Sequence, residues 1–171
     1  MRKLRLLQLS INILYASAII GFILITGVYI AIFFGLDLSE FNLKPAEYEH
    51  LTENEVLFII NPFLFLSFVW YVLILRNFKM IIALFYQQKF FEYRTAVLFR
   101  QIGLYFLIAV GTQCIPVVIN YFLADVTIIN MSLPLGFDSS IFLIAIGLFF
   151  MALSEVFKKA LTIKQENDLT I

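Results

Sequence analysis

Four apolar stretches of about twenty residues or more alternate with short polar segments along the chain, at 11–35, 56–75, 102–123 and 139–157. A hydrocarbon core about 30 Å thick is crossed by roughly twenty helical residues rising about 1.5 Å each. Each stretch therefore predicts a membrane-spanning helix, and together they predict an all-α integral membrane four-helix bundle, a single domain over residues 1–171. The fourth stretch contains Glu155, but near its end, where Lys158 or Lys159 stands at helical spacing to pair with it at the interface. Between the second and third stretches the pattern changes. Phe78, Ile81, Ile82 and Phe85 recur three and four residues apart, opposite Asn77, Lys79, Gln87 and Gln88. That periodicity predicts an interfacial amphipathic helix inside an elbow spanning 77–101, interrupted at Phe90-Phe91. At the start of the chain, basic residues up to Arg5 and the triplet Ala16-Ser17-Ala18 have the look of a cleavable leader. The apolar run continues uncharged from Leu6 to Leu36, however, so an uncleaved anchor is expected.

Composition agrees with this reading. Hydrophobic residues make up 62% and charged residues 14%, against about a quarter charged in soluble proteins. The net charge of zero conceals a polar layout. Arg2, Lys3 and Arg5, then Arg76, Lys79, Lys89, Arg94 and Arg100, then Lys158, Lys159 and Lys164 all fall on one side of the four spans. The alternate loops hold Lys44 alone among Asp37, Glu40, Glu47, Glu49, Glu53, Glu55, Asp125 and Asp138. Lys and Arg bias loops to the cytoplasm, so both termini are expected inside, with an acidic outer loop at 37–55 and a cytoplasmic tail at 158–171.

Candidate chemistry is sparse. The sequence has no Gly-rich phosphate loop, no Cys pair, no His pair and no Ser-His-Asp set, so no catalytic role and no cofactor is expected. The single cysteine, Cys114, excludes an internal disulfide. Glu47, His50 and Glu53 would share one helical face, but three mismatched ligands on a loop make a weak metal site, so a solvated acidic surface and no metal are expected. The spans lack a deep ionisable group of the kind that ion-coupled transport uses. They do contain neutral polar spots: Asn61 with Pro62 in the second span, and Thr112, Gln113, Pro116 and Asn120 in the third. Two readings stand for these. They line an outward-facing pocket splayed by the two prolines, or they hydrogen-bond across helices. In the first span Gly27, Ala31 and Gly35 recur at four-residue spacing, as do Ser17 and Gly21. Small residues let helices approach, within the bundle or across a homodimer seam.

The tail carries a further signal. Leu153-Ser154-Glu155-Val156-Phe157-Lys158-Lys159, followed by Gln165-Glu166-Asn167-Asp168-Leu169-Thr170-Ile171, resembles the end of the bacterial four-span family known as domain of unknown function 2975. Members of that family typically show Glu-Val-Phe-Arg-Arg-Gly and then Glu-Glu-Asn-Asp-Leu-Thr before a final Ile or Val. Phe90-Phe91-Glu92 and Arg100-Gln101-Ile102-Gly103 resemble its elbow more loosely. The chain departs at Ala160, where Gly is usual, and at Phe90, where Pro is usual. The resemblance implies a bacterial plasma-membrane protein, and it implies a small helix-turn-helix regulator as a partner, since members are often encoded beside one. Phe157, Lys158, Lys159, Glu166, Asp168, Leu169 and Ile171 are the candidate docking residues, on a tail that joins a partner's sheet edge or groove or else remains a solvated terminus. The scattered inner charges carry no recognition helix, so direct nucleic-acid binding is not expected. Three functional readings follow: a membrane-bound regulatory partner; an immunity or small-molecule-binding protein that uses the acidic outer loop and the polar spots; and a small transporter.

Overall fold

The computed structural model describes residues 2–34, 61–123 and 137–169, and all four of its elements are helices. They are α1 (Arg2–Phe33), α2 (Asn61–Tyr86), α3 (Tyr93–Leu123) and α4 (Phe137–Leu169), each long and apolar enough to cross a membrane. The protein is thus a multi-pass helical membrane protein in contact with the lipid bilayer. The helices pack in chain order: α3 lies most intimately on α4, α2 lies on α3, and α1 leans chiefly on α2.

The closest approach is between α3 and α4, and glycine permits it. A Cβ at Gly103 would stand 2.5 Å from the carbonyl oxygen of Gly147 and 2.6 Å from Cγ of Met151. One at Gly147 would meet the Gly103 carbonyl at 3.0 Å. Two backbones therefore touch where a side chain would hold them apart. By contrast α1 is held by rings, with Phe22 stacked on Phe65 and Phe68 and Tyr29 edge-on to Phe65. Gly21 meets only the Phe68 ring edge at 3.8 Å, and Gly27 has nothing within 4 Å.

The tightest core lies at the end of the bundle that carries the basic residues. Ile74, Ile81, Leu84, Leu98, Phe99 and Ile102 are buried there. This corrects the expectation of an interfacial helix after residue 77. Residues 77–86 are the upright continuation of α2, and the apolar stripe is buried against α3 and α4, with Ile81 and Ile82 inside and Phe78 and Phe85 packed on aromatic neighbours. Asn77, placed on the solvent face by the pattern, is buried and donates to Oε1 of Gln101 at 3.2 Å. An apolar stripe can meet lipid or protein, and here α3 and α4 extend far enough to cover it.

A defined turn ends α2. Gln88 adopts a left-handed conformation (φ 61°), its N–H bonds to the Phe85 carbonyl at 3.1 Å, and the Lys89 N–H bonds to the Leu84 carbonyl at 3.0 Å. This is the pairing of a Schellman cap, with Gln in the position that glycine usually fills. Glu92 then opens α3. Its carbonyl accepts from the Thr95 N–H at 3.0 Å, and its carboxylate pairs with Lys89 at 3.3 Å, a favourable charge at a helix N-terminus.

Candidate functional site

The polar residues at the basic end lie at one level. Asn77 of α2 meets Gln101 of α3, and Ser154 of α4 donates to the Ala96 carbonyl of α3 at 2.7 Å. Glu155 accepts from Lys158 at 2.7 Å, with Arg100 of α3 and Lys159 within electrostatic reach. The ammonium of Lys79 sits 5.1 Å above the Tyr15 ring of α1. From this belt α3 runs on to Leu123, about 33 Å at 1.5 Å per residue, close to the thickness of a bilayer core. The belt thus stands one bilayer-core thickness from the far end of α3. Beyond it α2 projects by about 13 Å, and α4 by about 21 Å from Glu155 to Leu169.

Two phenylalanines one heptad apart root the projecting part of α4. Phe150 gathers Phe78, Phe99 and Phe106 at ring distances of 5.2, 6.0 and 6.1 Å. Phe157 gathers Phe99, Phe91 and Phe85 at 5.0, 6.1 and 6.3 Å. Phe99 belongs to both groups, so three helices and the elbow are joined through one aromatic column. Past Phe157 the helix becomes an arm with exposed Lys159, Thr162, Ile163, Lys164 and Gln165. Val156 is 59% exposed and Ile163, one heptad further, 58%.

The candidate docking residues thus divide. Phe157 is engaged in the aromatic column, and Lys158 in its pair with Glu155. Lys159 and Glu166 lie on the exposed arm. The side chains of Asp168 and Leu169, and Ile171 altogether, fall outside the described residues. The tail is helical to Leu169, so a helix laid in a groove fits it and an added β-strand does not. Val156 lies outside the candidate docking set, and Ile163 is one of the tail's apolar positions, with Leu161. Their heptad spacing from the exposed Phe149 was the available signal.

At the other end, the polar spots are paired. The hydroxyls of Ser67 and Thr112 stand 3.0 Å apart across the α2–α3 interface, and Gln113 donates to the Tyr71 hydroxyl at 2.9 Å. Pro116 is fully buried in α3, whereas Pro62 is exposed in the first turn of α2, where a proline leaves no helical bond unmade. The side chains of Asn61 and Asn120 are outside the described residues, as is the acidic loop with Glu47, His50 and Glu53. Cys114 is exposed on α3. Among the described residues no group of three His, Cys, Asp or Glu is placed to hold a metal.

Comparison with known proteins gives one finding. The family described as "Protein of unknown function (DUF2975)" matches residues 44–171, a stretch that includes α2, α3, α4 and the aromatic column. No curated protein and no solved structure matches.

Proposed function

The chain belongs to the DUF2975 family, and from that premise we propose that it is a membrane-bound regulatory partner of a small cytoplasmic helix-turn-helix protein, acting by binding and not by catalysis. The observation that carries this reading is the α4 arm. Ile163 lies about 12 Å past Glu155 along α4, and more than half of its surface is exposed. It shares a face with Val156 and Lys159, so the arm offers spaced apolar anchors between charges, the format of a helix recognised in a groove. The aromatic column holds the arm's base fixed, which reduces the ordering cost of binding. The bias of Lys and Arg supports a cytoplasmic basic end, within reach of a soluble regulator.

The test is co-purification from the native host, comparing the intact protein with Ile163→Asp and with a chain ending at Ala160. A helix-turn-helix protein, identified by mass spectrometry, should accompany the intact protein and be lost from both variants. Its presence at equal yield with all three would refute docking on the arm.

A further inference from the structure

We propose that the α3–α4 groove at the belt is a binding site for an anionic phospholipid, with Arg100 and Lys159 on the headgroup phosphate and one acyl chain along the exposed face of α3. The proposal shares Lys159 with the reading of the α4 arm but needs no protein partner, and Arg100 and Gly111 belong to it alone.

Charge provides the first argument. Lys158 is committed to Glu155 at 2.7 Å. Arg100 stands one turn after Ala96, whose carbonyl holds Ser154 next to Glu155, and neither Arg100 nor Lys159 makes a salt bridge among the described residues. One carboxylate thus faces three cations and leaves the groove mouth positive. A guanidinium offers paired N–H donors that match two phosphate oxygens, and a neighbouring ammonium adds a third donor.

Shape provides the second. Directly below Arg100, on the same face of α3, run Leu104, Ile108, Gly111 and Ile115, all exposed. From Leu104 to Ile115 the rise is about 16 Å, close to half of a hydrocarbon core about 30 Å thick. A chain lying there would start at the belt and end near the bilayer midplane. A Cβ at Gly111 would meet nothing within 4 Å, so the track has an open notch about two-thirds of the way down. The Arg94 and Lys164 side chains are also exposed at the basic end, but neither heads such a track.

The experiment is native mass spectrometry of the full chain in mild detergent, titrated with phosphatidylglycerol or phosphatidylcholine. Phosphatidylglycerol should be retained in preference. R100Q or K159Q should each reduce that retention about fivefold, the share of one basic residue at an anionic surface. R94Q and K164Q, which remove the same charge elsewhere at this end, should leave it unchanged. Gly111→Leu, which fills the notch without touching the charges, should weaken retention of the lipid, and glycerol phosphate should fail to displace it. Equal losses from all four charge variants would mean diffuse attraction and overturn the site. So would an absence of preference over phosphatidylcholine, or displacement by glycerol phosphate at matched concentration, which would remove the acyl track from the argument.

Discussion

Replacing Gly103 by Ala tests the α3–α4 crossing directly. The new methyl would lie 2.5 Å from the Gly147 carbonyl oxygen, which must retreat by about 0.9 Å to reach an ordinary 3.4 Å contact. That oxygen belongs to the α4 backbone, so no rotamer change relieves the clash and the whole helix must move. Overpacking of this kind costs about 1–3 kcal/mol, and a backbone clash belongs near the top of the range. The same displacement stretches the 2.7 Å bond from Ser154 to the Ala96 carbonyl, which adds to the loss. Ala is favoured over Gly in a helix by about 0.5–1 kcal/mol, which leaves a net destabilisation of about 2 kcal/mol. Gly147→Ala meets the facing carbonyl at 3.0 Å and should lose about 1 kcal/mol or less. Gly27→Ala, with nothing within 4 Å, should be neutral or slightly stabilising. Denaturation in detergent, followed by fluorescence of the single tryptophan, Trp70, whose ring lies 5.8 Å from Tyr105 of α3, gives the comparison. Equal midpoints for the Gly103 and Gly27 variants would refute the close crossing.

Gln88→Gly relieves a left-handed side-chain-bearing residue and should stabilise the fold by about 0.5–1 kcal/mol in the same assay, where a loss would argue against the cap geometry. Phe157→Ala removes a half-buried ring from contact with three others and should cost about 2–3 kcal/mol, below the range for full burial; trypsin should then cut faster at Lys159 and Lys164, and an unchanged rate would mean that the ring does not root the arm. A double-mutant cycle of Ser67→Ala and Thr112→Val should give a coupling of about 0.6 kcal/mol, and zero coupling would remove the hydroxyl pair from the account of the α2–α3 seam. Lys164→Cys in a Cys114→Ser background should react with a membrane-impermeant maleimide only after permeabilisation; labelling of intact cells would reverse the proposed orientation.

The spans were legible because length and apolarity alone decide whether a helix crosses a bilayer. The elbow was half legible. The spacing of Phe78, Ile81, Ile82 and Phe85 identified a buried face, but periodicity does not distinguish burial in lipid from burial in protein, and α3 and α4 turned out to cover it. The Glu155–Lys158 pair was readable because both partners lie on one helix turn. Thr112 and Gln113 were visible as polar spots, while their partners Ser67 and Tyr71 were not, since nothing local couples positions more than forty residues apart. Gly103 and Gly147 escaped notice for the same reason. Each is an isolated glycine in its own helix, and their meaning arises only where two helices meet.

A bundle packed as a row differs from one packed as a ring in how a disturbance travels. In a ring each helix has two routes to any other, and strain divides between them. Here α1 has one strong neighbour, so a tilt or piston movement of α1 must first pass through α2, which hands it to α3 and, through the Phe78–Phe150 and Phe85–Phe157 rings, to α4. The links stiffen along the way, from ring stacks at α1 to backbone contact at Gly103 and Gly147. Such a chain is compliant at its first joint and rigid at its last, so α1 can move against a bundle that holds its shape, while whatever displaces α3 carries the α4 arm with it.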